Sequence, residues 1–159
     1  LLFGGTGTFS ESVEMPTELP SAYEAGSHNV WAASGLHASL KWLEEIGREV
    51  ITNHTLHLAQ HLCLKLADLE SVELQVPPNE APWCGIISLT IEDMKPQILE
   101  AALGAAGIAV RAGLHCAPWA HKWLGTLNTG GTVRVSFGYF NEIEDMDRIA
   151  QLIASYSER

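Results

Sequence analysis

The sequence predicts an α/β domain in which a small sheet of three to four strands carries packed helices and is preceded by a long helix. Two observations predict this fold class. Short runs of alternating apolar residues, such as Val72, Leu74 and Val76, have the period of two that is typical of strands. Other stretches repeat apolar residues at three- and four-residue intervals, which is the period of a helix. The 159 residues, 47% of them hydrophobic, are enough for one globular domain.

The long helix is predicted between Asn29 and Leu69. Gly35 and Gly47 lie inside this stretch, and glycine weakens a helix, so the prediction is one long helix or two in line. Three histidines fall on one stripe of the same stretch, namely His54, His57 and His61. Because no cysteine or carboxylate completes a zinc-type ligand set beside them, we predict no metal site.

Strands are predicted at residues 72–76, 85–91, 108–111 and 132–137. Pro77 and Pro78 end the first of them. In the last strand Arg134 alternates with Val133 and Val135, so its side chain is expected on the face opposite the core. That position would suit a site residue.

Two further helices are predicted from their end signals. One begins near Pro96 and ends at Gly107, because proline suits a first helical turn and glycine suits the left-handed residue after the last turn. The other has Asn141 as its N-cap and Glu144 three residues later, as in a capping box.

Residues 1–28 lack clear periodicity and contain several glycines and prolines, which favours an extended or looping entry segment. We expect this segment to belong to a larger domain or a dimer interface outside this chain, and residues 29–159 to form the C-terminal α/β domain. The chain begins at Leu1 without an initiating methionine. We therefore interpret the sequence as a fragment of a longer parent protein.

Charge and cysteine content exclude several classes of function. The net charge is −10 and the acidic residues are dispersed, whereas binding to nucleic acid or to an anionic membrane requires clustered cations. We find no signal peptide and no apolar run long enough to span a bilayer. The three cysteines form no zinc-type pairs. These features predict a cytoplasmic protein that binds neither nucleic acid nor a membrane.

The segment with the most candidate functional residues is 110–121, which lies between the third and fourth predicted strands. This segment is too long for a tight turn, and long loops on a rigid sheet often carry functional residues. Gly113 permits backbone shapes that a side chain would forbid. A nearby cation such as Arg111, or a protonated His115, would favour the nucleophilic thiolate of Cys116. From composition alone, a small buried cysteine is the commoner alternative.

Several motifs, in order along the chain, resemble the signatures of one family. Residues 110–118 read VRAGLHCAP and residues 131–141 read GTVRVSFGYFN, while YEAGSHN occurs at 23–29 and GGTG at 4–7. Together these motifs resemble those of SufS-like cysteine desulfurases, which are fold-type I enzymes of the class-V aminotransferase family and use pyridoxal phosphate (PLP). The resemblance implies that the chain is the C-terminal part of such an enzyme and contains its C-terminal domain.

The resemblance implies a catalytic role for Cys116 and substrate-binding roles for three neighbours. Cys116 matches the nucleophile that takes sulfur from L-cysteine, keeps it as a persulfide and leaves alanine. Arg134 matches the arginine that binds the substrate carboxylate, a role for which a planar guanidinium is suited. Arg111 matches a second active-site arginine, and His115 is assigned to the same substrate site. The alternative for either arginine is a surface ion pair.

For the cofactor, the resemblance implies that Ser27 and Gly5 contact the phosphate of PLP. Ser27 stands where the family usually has threonine, and it keeps the hydroxyl group. The family's cofactor lysine has no match in this chain, because that lysine precedes the nucleophile, whereas the pair His121 and Lys122 follows Cys116. We therefore expect the parent enzyme to use PLP and this chain alone to bind none.

The resulting hypothesis is a homodimeric parent enzyme that removes sulfur from L-cysteine and passes it to an acceptor protein, as in iron–sulfur cluster assembly. The isolated chain is expected to be inactive. Two alternatives stay open. In the first, the parent is a selenocysteine lyase or another class-V aminotransferase-like enzyme. In the second, the chain is a non-catalytic interaction domain.

Overall fold

The computed structural model describes residues 4–7, 9–77 and 83–157. Backbone contacts divide the chain into two compact units, Leu1–Ile46 and Gly47–Arg159. The boundary between the two units thus follows Ile46. The division between residues 28 and 29 that the sequence predicts refers to the domains of a longer parent protein, and it stays a prediction. None of the helices in the described ranges combines the length and the apolar character needed to cross a membrane.

The first unit contains a 3-10 helix, Ser21–Tyr23, and helix α1, Val30–Ile46. The side-chain oxygen of Asn29 accepts a hydrogen bond from the Ala32 amide at 2.9 Å, so this asparagine caps the helix where the sequence predicts that it begins. None of the residues of α1 is buried. The cap and the backbone hydrogen bonds of the helix therefore contribute to its stability.

The second unit begins with helix α2, Arg48–Leu66. Gly47, just before it, has a φ of 88°, which residues with a side chain rarely adopt, so the helical path is interrupted there. The stretch predicted as one long helix or two is thus two helices. Gly35, the other predicted weak point, lies inside α1 without breaking it.

The predicted sheet of three to four strands is confirmed, and it has four. The strands are β1, Val72–Gln75; β2, Ile87–Ile91; β3, Arg111–Gly113; and β4, Thr132–Val135. Their order is β1-β2-β4-β3, and each neighbouring pair is antiparallel. Of the two prolines predicted to end the first strand, Pro78 lies outside the described residues.

The third strand begins at Arg111, so the prediction of a strand over residues 108–111 is wrong in its position. The preceding helix α3, Pro96–Ala105, explains the difference. The Ile108 amide donates to the Leu103 carbonyl at 2.9 Å, so Ile108 belongs to the end of the helix and cannot join the sheet. Gly107 has a φ of 78° and takes the left-handed position after α3, as predicted.

The last helix, α5, spans Ile143–Ser157 and begins later than predicted. The side-chain oxygen of Asn141 is engaged in the preceding turn, where it accepts a hydrogen bond from a backbone amide at 2.9 Å. The carboxylate of Asp145 reaches back to the Glu142 amide at 3.2 Å. The capping interaction is therefore made by Asp145 instead of the predicted Glu144, one residue further along the chain.

Helix α4, Pro118–Trp123, is an addition to the predicted elements. Residues 110–121 do not form one long loop, because β3 ends at Gly113 and α4 begins at Pro118. Only residues 114–117 connect them. Pro118 occupies the first turn of α4, where its missing amide proton costs no hydrogen bond.

Helices α2, α3 and α5 supply most of the helical side of the core. Alternate strand residues face them, because the register pairs Leu89 with Val133 and Ile87 with Val135. The core residues are buried to 6% exposure or less: Leu58, Ala59, Leu62, Leu66, Ile87, Leu89, Ile91, Leu99, Leu103, Val133, Val135, Met146, Ile149, Ala150 and Ile153. At about 25 cal/mol per Å² of apolar surface removed from water, this layer is the main source of stability.

The opposite face of the sheet is polar. Ser88 on β2, Arg134 on β4 and Arg111 on β3 are successive cross-strand neighbours on this face. Arg134 thus lies opposite the core, as the alternation along its strand predicts. The helices that build the core pack on the other face of the sheet, so this polar face carries the candidate site residues Arg111 and Arg134.

The predicted histidine stripe of α2 makes contacts with α5 and with the turn before it. His54 Nε2 lies 2.9 Å from the Asn141 carbonyl oxygen, and His61 Nε2 lies 2.8 Å from Oδ1 of Asp147. Lys65 Nζ approaches the same carboxylate oxygen at 3.0 Å. Within the described ranges, no three histidine, cysteine or acidic side chains come together as metal ligands.

A close backbone approach between β3 and β4 gives the first prediction. A Cβ atom on Gly131 would lie 2.1 Å from the Gly113 carbonyl oxygen, and φ of Gly131 is +91°. We expect Gly131→Ala to lower the free energy of unfolding by roughly 3 kcal/mol or more, measured by urea denaturation.

Gly130→Ala is the matched control for this substitution. Its φ of +94° carries a similar strain, but its Cβ would meet the Gln97 side chain at 3.5 Å and the Pro96 ring at 3.9 Å, which are ordinary contact distances. We expect a cost of about 1 to 2 kcal/mol for this variant. Equal losses in the two variants would contradict the close approach of Gly131 to Gly113.

The contacts of Asp147 give a second prediction. Hydrogen bonds from His61 and then Lys65 lower the pKa of Asp147 below its ordinary 3.8. The carboxylate therefore contributes stability above pH 3.8, and this contribution is lost as the pH falls through the lower pKa of the folded state. We expect Asp147→Asn to be less stable than the parent chain at pH 7, with the difference vanishing under strongly acidic conditions.

Urea denaturation at a series of pH values measures this difference. Asp68→Asn is the matched control, because Asp68 is an exposed residue just after α2, the helix that carries His61 and Lys65. A stability gap that stays constant between pH 7 and pH 2 would show that the contacts of the Asp147 carboxylate do not stabilise the fold.

Candidate active site

The turn between β3 and α4 carries Cys116. The Ala117 amide donates to the Leu114 carbonyl at 2.8 Å, which closes the turn. His115 and Cys116 both have positive φ values, 50° and 59°. Because this conformation costs about 1 kcal/mol or more for each residue with a side chain, surrounding contacts must hold it. Cys116 is exposed, which excludes the alternative of a small buried core cysteine.

The other two cysteines lie in different surroundings. Cys63 on α2 is partly buried, and burial raises the pKa of its thiol. Cys84, just before β2, is exposed. Only Cys116 combines exposure with a position in a constrained turn, so it is the best candidate for a nucleophile among the three.

Arg111 and Arg134 occupy directly opposite positions on β3 and β4. Side chains in such a pair are close neighbours on one face, and two like charges there are unfavourable. Arg111 is exposed and Arg134 is partly buried. Nε of Arg134 is buried without a hydrogen-bond partner among the described residues. The pair therefore offers several donors, and an anion such as a carboxylate would relieve the repulsion and use the free Nε group.

His115 lies beside these arginines. Its Nε2 is 3.3 Å from Oγ1 of Thr132, the first residue of β4, and its Nδ1 is buried without a partner in the described structure. Burial lowers the pKa of His115 below the ordinary 6.5, and the Arg134 charge lowers it further. The imidazole is therefore neutral at pH 7. A protonated His115, one of the two suggested sources of positive charge for Cys116, is therefore disfavoured, which leaves Arg111 as the other suggested source.

His121 is a member of this cluster that the sequence reasoning missed. In the sequence, His121 stands out only as part of the pair with Lys122, which does not match the cofactor lysine motif. The structure places it on the inner side of α4, where it is 4% exposed. Its ring centroid lies 5.7 Å from that of His115. Sequence spacing gives no signal for its burial, because Pro118, three residues earlier, is exposed and the flanking tryptophans would be expected to face inward.

Gly5 and Ser27 lie in the first unit, on an open cleft of about 660 Å³. The Gly26 amide donates to the Gly5 carbonyl at 2.7 Å, which brings the two motifs together. Ser27 is exposed and precedes the capped start of α1. The Val30 and Ala32 amides of the first helical turn already donate to His28 and Asn29, so the donor on offer to an anion is the Ser27 hydroxyl. This arrangement is compatible with a phosphate group, although the Glu24 carboxylate also lines the cleft.

None of the four lysines of the chain lies on β3 or β4, the two strands that carry the arginine pair. Lys65 contacts Asp147, and the Lys122 ammonium group lies 5.2 Å from the centre of the Trp119 ring. Lys41 is on α1, and Lys95 directly precedes α3. None of the four therefore adjoins Arg134 in the register of the sheet.

Comparison with known proteins identifies relatives along almost the whole chain. Residues 1–149 match the family model described as aminotransferase class-V. A probable cysteine desulfurase of Halalkalibacterium halodurans is 39% identical over 134 residues, which cover 84% of this chain and 32% of that protein. A probable cysteine desulfurase of Staphylococcus aureus is 32% identical over 141 residues, 89% of this chain and 33% of that protein.

Solved structures give the same result. A cysteine desulfurase from Thermococcus onnurineus superposes with a TM-score of 0.78 at 31% identity and covers 89% of this chain and 34% of its own. One from Escherichia coli has a TM-score of 0.71 at 26% identity, over 87% and 33% of the two chains. The small α/β fold thus matches part of these cysteine desulfurases, which are fold-type I PLP enzymes, as predicted. The chain spans about a third of the length of these relatives, and it belongs to the class-V aminotransferase family.

Proposed function

We propose that the chain is part of a PLP-dependent cysteine desulfurase in which Cys116 accepts sulfur from L-cysteine. The observation that carries the proposal is the juxtaposition on one strand pair: an exposed thiol in a constrained turn follows Arg111, which lies opposite Arg134. A thiol nucleophile and a carboxylate-binding site are the two groups that desulfuration of an amino acid requires. The relatives described above are named for this activity.

Arg134 binds the substrate carboxylate in this proposal. Its guanidinium can form two parallel hydrogen bonds to a carboxylate, and its Nε group has no competing partner among the described residues. Arg111, opposite it, adds a second positive charge at the exposed edge. The two arginines thereby fix the amino acid by one end, and the sulfur atom at its other end is left for Cys116.

Cys116 then acts as the nucleophile. Its thiolate attacks the sulfur atom of the substrate, an S–S bond forms, and the Cβ–S bond breaks. The electron pair of that bond stays with the carbon atom, which takes up a proton to become the methyl group of alanine. The neutral His115, with a free Nδ1 atom, lies in the substrate site as a group able to accept or return a proton.

PLP, when bound, supplies the electron sink that permits bonds at the amino acid to break. Ser27 would hold its phosphate through the side-chain hydroxyl, and Gly5 would do so through its own backbone. The residue that binds its aldehyde group has no counterpart among Lys41, Lys65, Lys95 and Lys122, so we assign that lysine to another part of the parent enzyme. Without that lysine, we do not expect this chain alone to bind PLP.

The remaining assignments follow from the proposed activity. The persulfide on Cys116 needs a thiol to receive its sulfur, so we propose an acceptor protein and, as the destination, iron–sulfur cluster assembly. We further propose a homodimeric parent in the cytoplasm, where three free cysteines remain reduced.

The role of Cys116 is tested by Cys116→Ala in the full-length enzyme. Without the attacking thiolate, alanine release from L-cysteine is expected to fall at least about 100-fold, measured by amino-acid analysis. Cys84→Ala is the matched control, because Cys84 is exposed and lies outside the turn. Full activity in Cys116→Ala would show that Cys116 is not the sulfur acceptor and would favour a reaction without a persulfide on this residue.

The role of Arg134 is tested by Arg134→Lys in the same enzyme. Lysine keeps the charge but loses the planar pair of donors, so we expect KM for L-cysteine to rise about 10-fold to 100-fold. Arg48→Lys, at an exposed position that begins α2, should leave KM unchanged. An unchanged KM in Arg134→Lys would assign the carboxylate to another residue.

A further inference from the structure

Helix α4 is oriented against the usual rule of hydrophobic burial. Trp119 and Trp123 are 79% and 86% exposed, whereas His121 between them is 4% exposed. A helix of this composition would ordinarily bury a tryptophan and expose the histidine. A buried polar ring is kept only where its contacts compensate for the loss of water. The contacts of His121 therefore indicate what the inward orientation achieves.

The first set of contacts joins His121 to the segment that leads into β4. Its Nδ1 lies 2.7 Å from Oγ1 of Thr126, which is itself buried. Its carbonyl oxygen accepts hydrogen bonds from the amides of Thr126 and Leu127 at 2.9 and 3.1 Å. The Thr126 carbonyl in turn accepts from the Gly131 amide at 2.9 Å. His121 is thus tied to the residue that precedes β4.

The second contact is with His115. The two rings are 5.7 Å apart and inclined by 46°. The Nε2 atom of His115 contacts Thr132 on β4, so the His115 ring has Thr132 and His121 as its two identified neighbours. The backbone of His115 and Cys116 is strained, with φ near +55° at both residues, and cannot persist without such support.

We propose that His121 is a positioning residue that holds the His115 ring against Thr132 and so keeps Cys116 in the turn that directs its sulfur atom to the substrate. The inference rests on the proposed desulfurase activity of Cys116. His121 itself touches neither the substrate nor the cofactor in this account. It acts through His115 and the turn.

The charges around His115 follow from the same geometry. Arg134 on β4, His121 on α4 and Arg111 on β3 all disfavour its protonation, and burial does so most strongly, while the contact with Thr132 acts in the opposite direction. If His121 is replaced and the His115 ring loosens, both the burial and one neighbouring positive potential decrease. The pKa of His115 then rises toward 6.5, its ordinary value.

Two substitutions separate positioning from simple stability. His121→Asn keeps a side-chain group near the position of Nδ1 for Thr126 but is too short to reach the His115 ring. His121→Leu keeps an apolar volume and loses both contacts. Lys122→Ala, on the exposed side of the same helix, is the matched control. All three are made in the full-length holoenzyme.

The measurements are the His115 pKa, from NMR titration with labelled histidine, and the kinetics of alanine release from L-cysteine. We expect the His115 pKa to rise and kcat to fall about tenfold in both His121 variants, with KM within about twofold of the parent value. The melting temperature should fall more in His121→Leu than in His121→Asn, because only the leucine leaves Thr126 without its partner. Lys122→Ala should change none of these quantities.

An unchanged His115 pKa and unchanged kcat in His121→Asn, whatever the melting temperature, would overturn the proposal and leave His121 a structural residue. Failure of the proposed function looks different. In that case the unsubstituted holoenzyme releases no alanine from cysteine, while the His115 pKa still reports whether His121 positions the ring.

Discussion

The antiparallel pairing of β3 with β4 is the constraint on which the candidate site depends. It places Arg111 opposite Arg134 and Gly113 opposite Thr132. At its end the two backbones approach so closely that Gly131 has no room for a side chain. The turn that carries Cys116 leaves directly from this pair. The thiol, the two guanidinium groups and the imidazole of His115 are therefore positioned by backbone hydrogen bonds, which are less adaptable than side-chain contacts.

The division of the sheet into two faces makes this pairing available for chemistry. Helices α2, α3 and α5 contribute to a single apolar core with alternate strand residues. The other strand residues, which include Ser88, Arg134 and Arg111, form the polar face. An antiparallel sheet tolerates one polar face, because its strands need only one buried side to be stable. A substitution on the polar face therefore changes no side chain of the core, because the core lies on the other side of the sheet.

The turn itself stores strain. His115 and Cys116 occupy left-handed conformations without being glycine, and the contacts of Thr132 and His121 compensate for this cost. The same surroundings keep His115 neutral, since burial and Arg134 both lower its pKa. The positive charge of this strand pair is therefore carried by Arg111 and Arg134.

Local patterns in the sequence determined the class of fold and most of the elements. Alternation along residues 132–137 was enough to place Arg134 away from the core, because the period of a strand depends only on neighbouring residues. The ordered motifs around Cys116 were enough to indicate the family, and comparison of the chain with known proteins confirms it. The N-cap at Asn29, the break at Gly47 and the end of α3 at Gly107 also follow from local backbone chemistry.

Contacts between distant residues decided the rest. The start of β3 depends on Ile108 being held by the end of α3, and the cap of α5 depends on Asn141 being engaged in the turn before it. The exposure of Cys116, the opposition of Arg111 and Arg134, and the burial of His121 depend on strand pairing and on which side of α4 faces inward. The sequence by itself therefore determined which chemical groups are present and the local elements that carry them. Only the tertiary structure decided which of these groups meet, because their meeting is set by pairing between segments far apart along the chain.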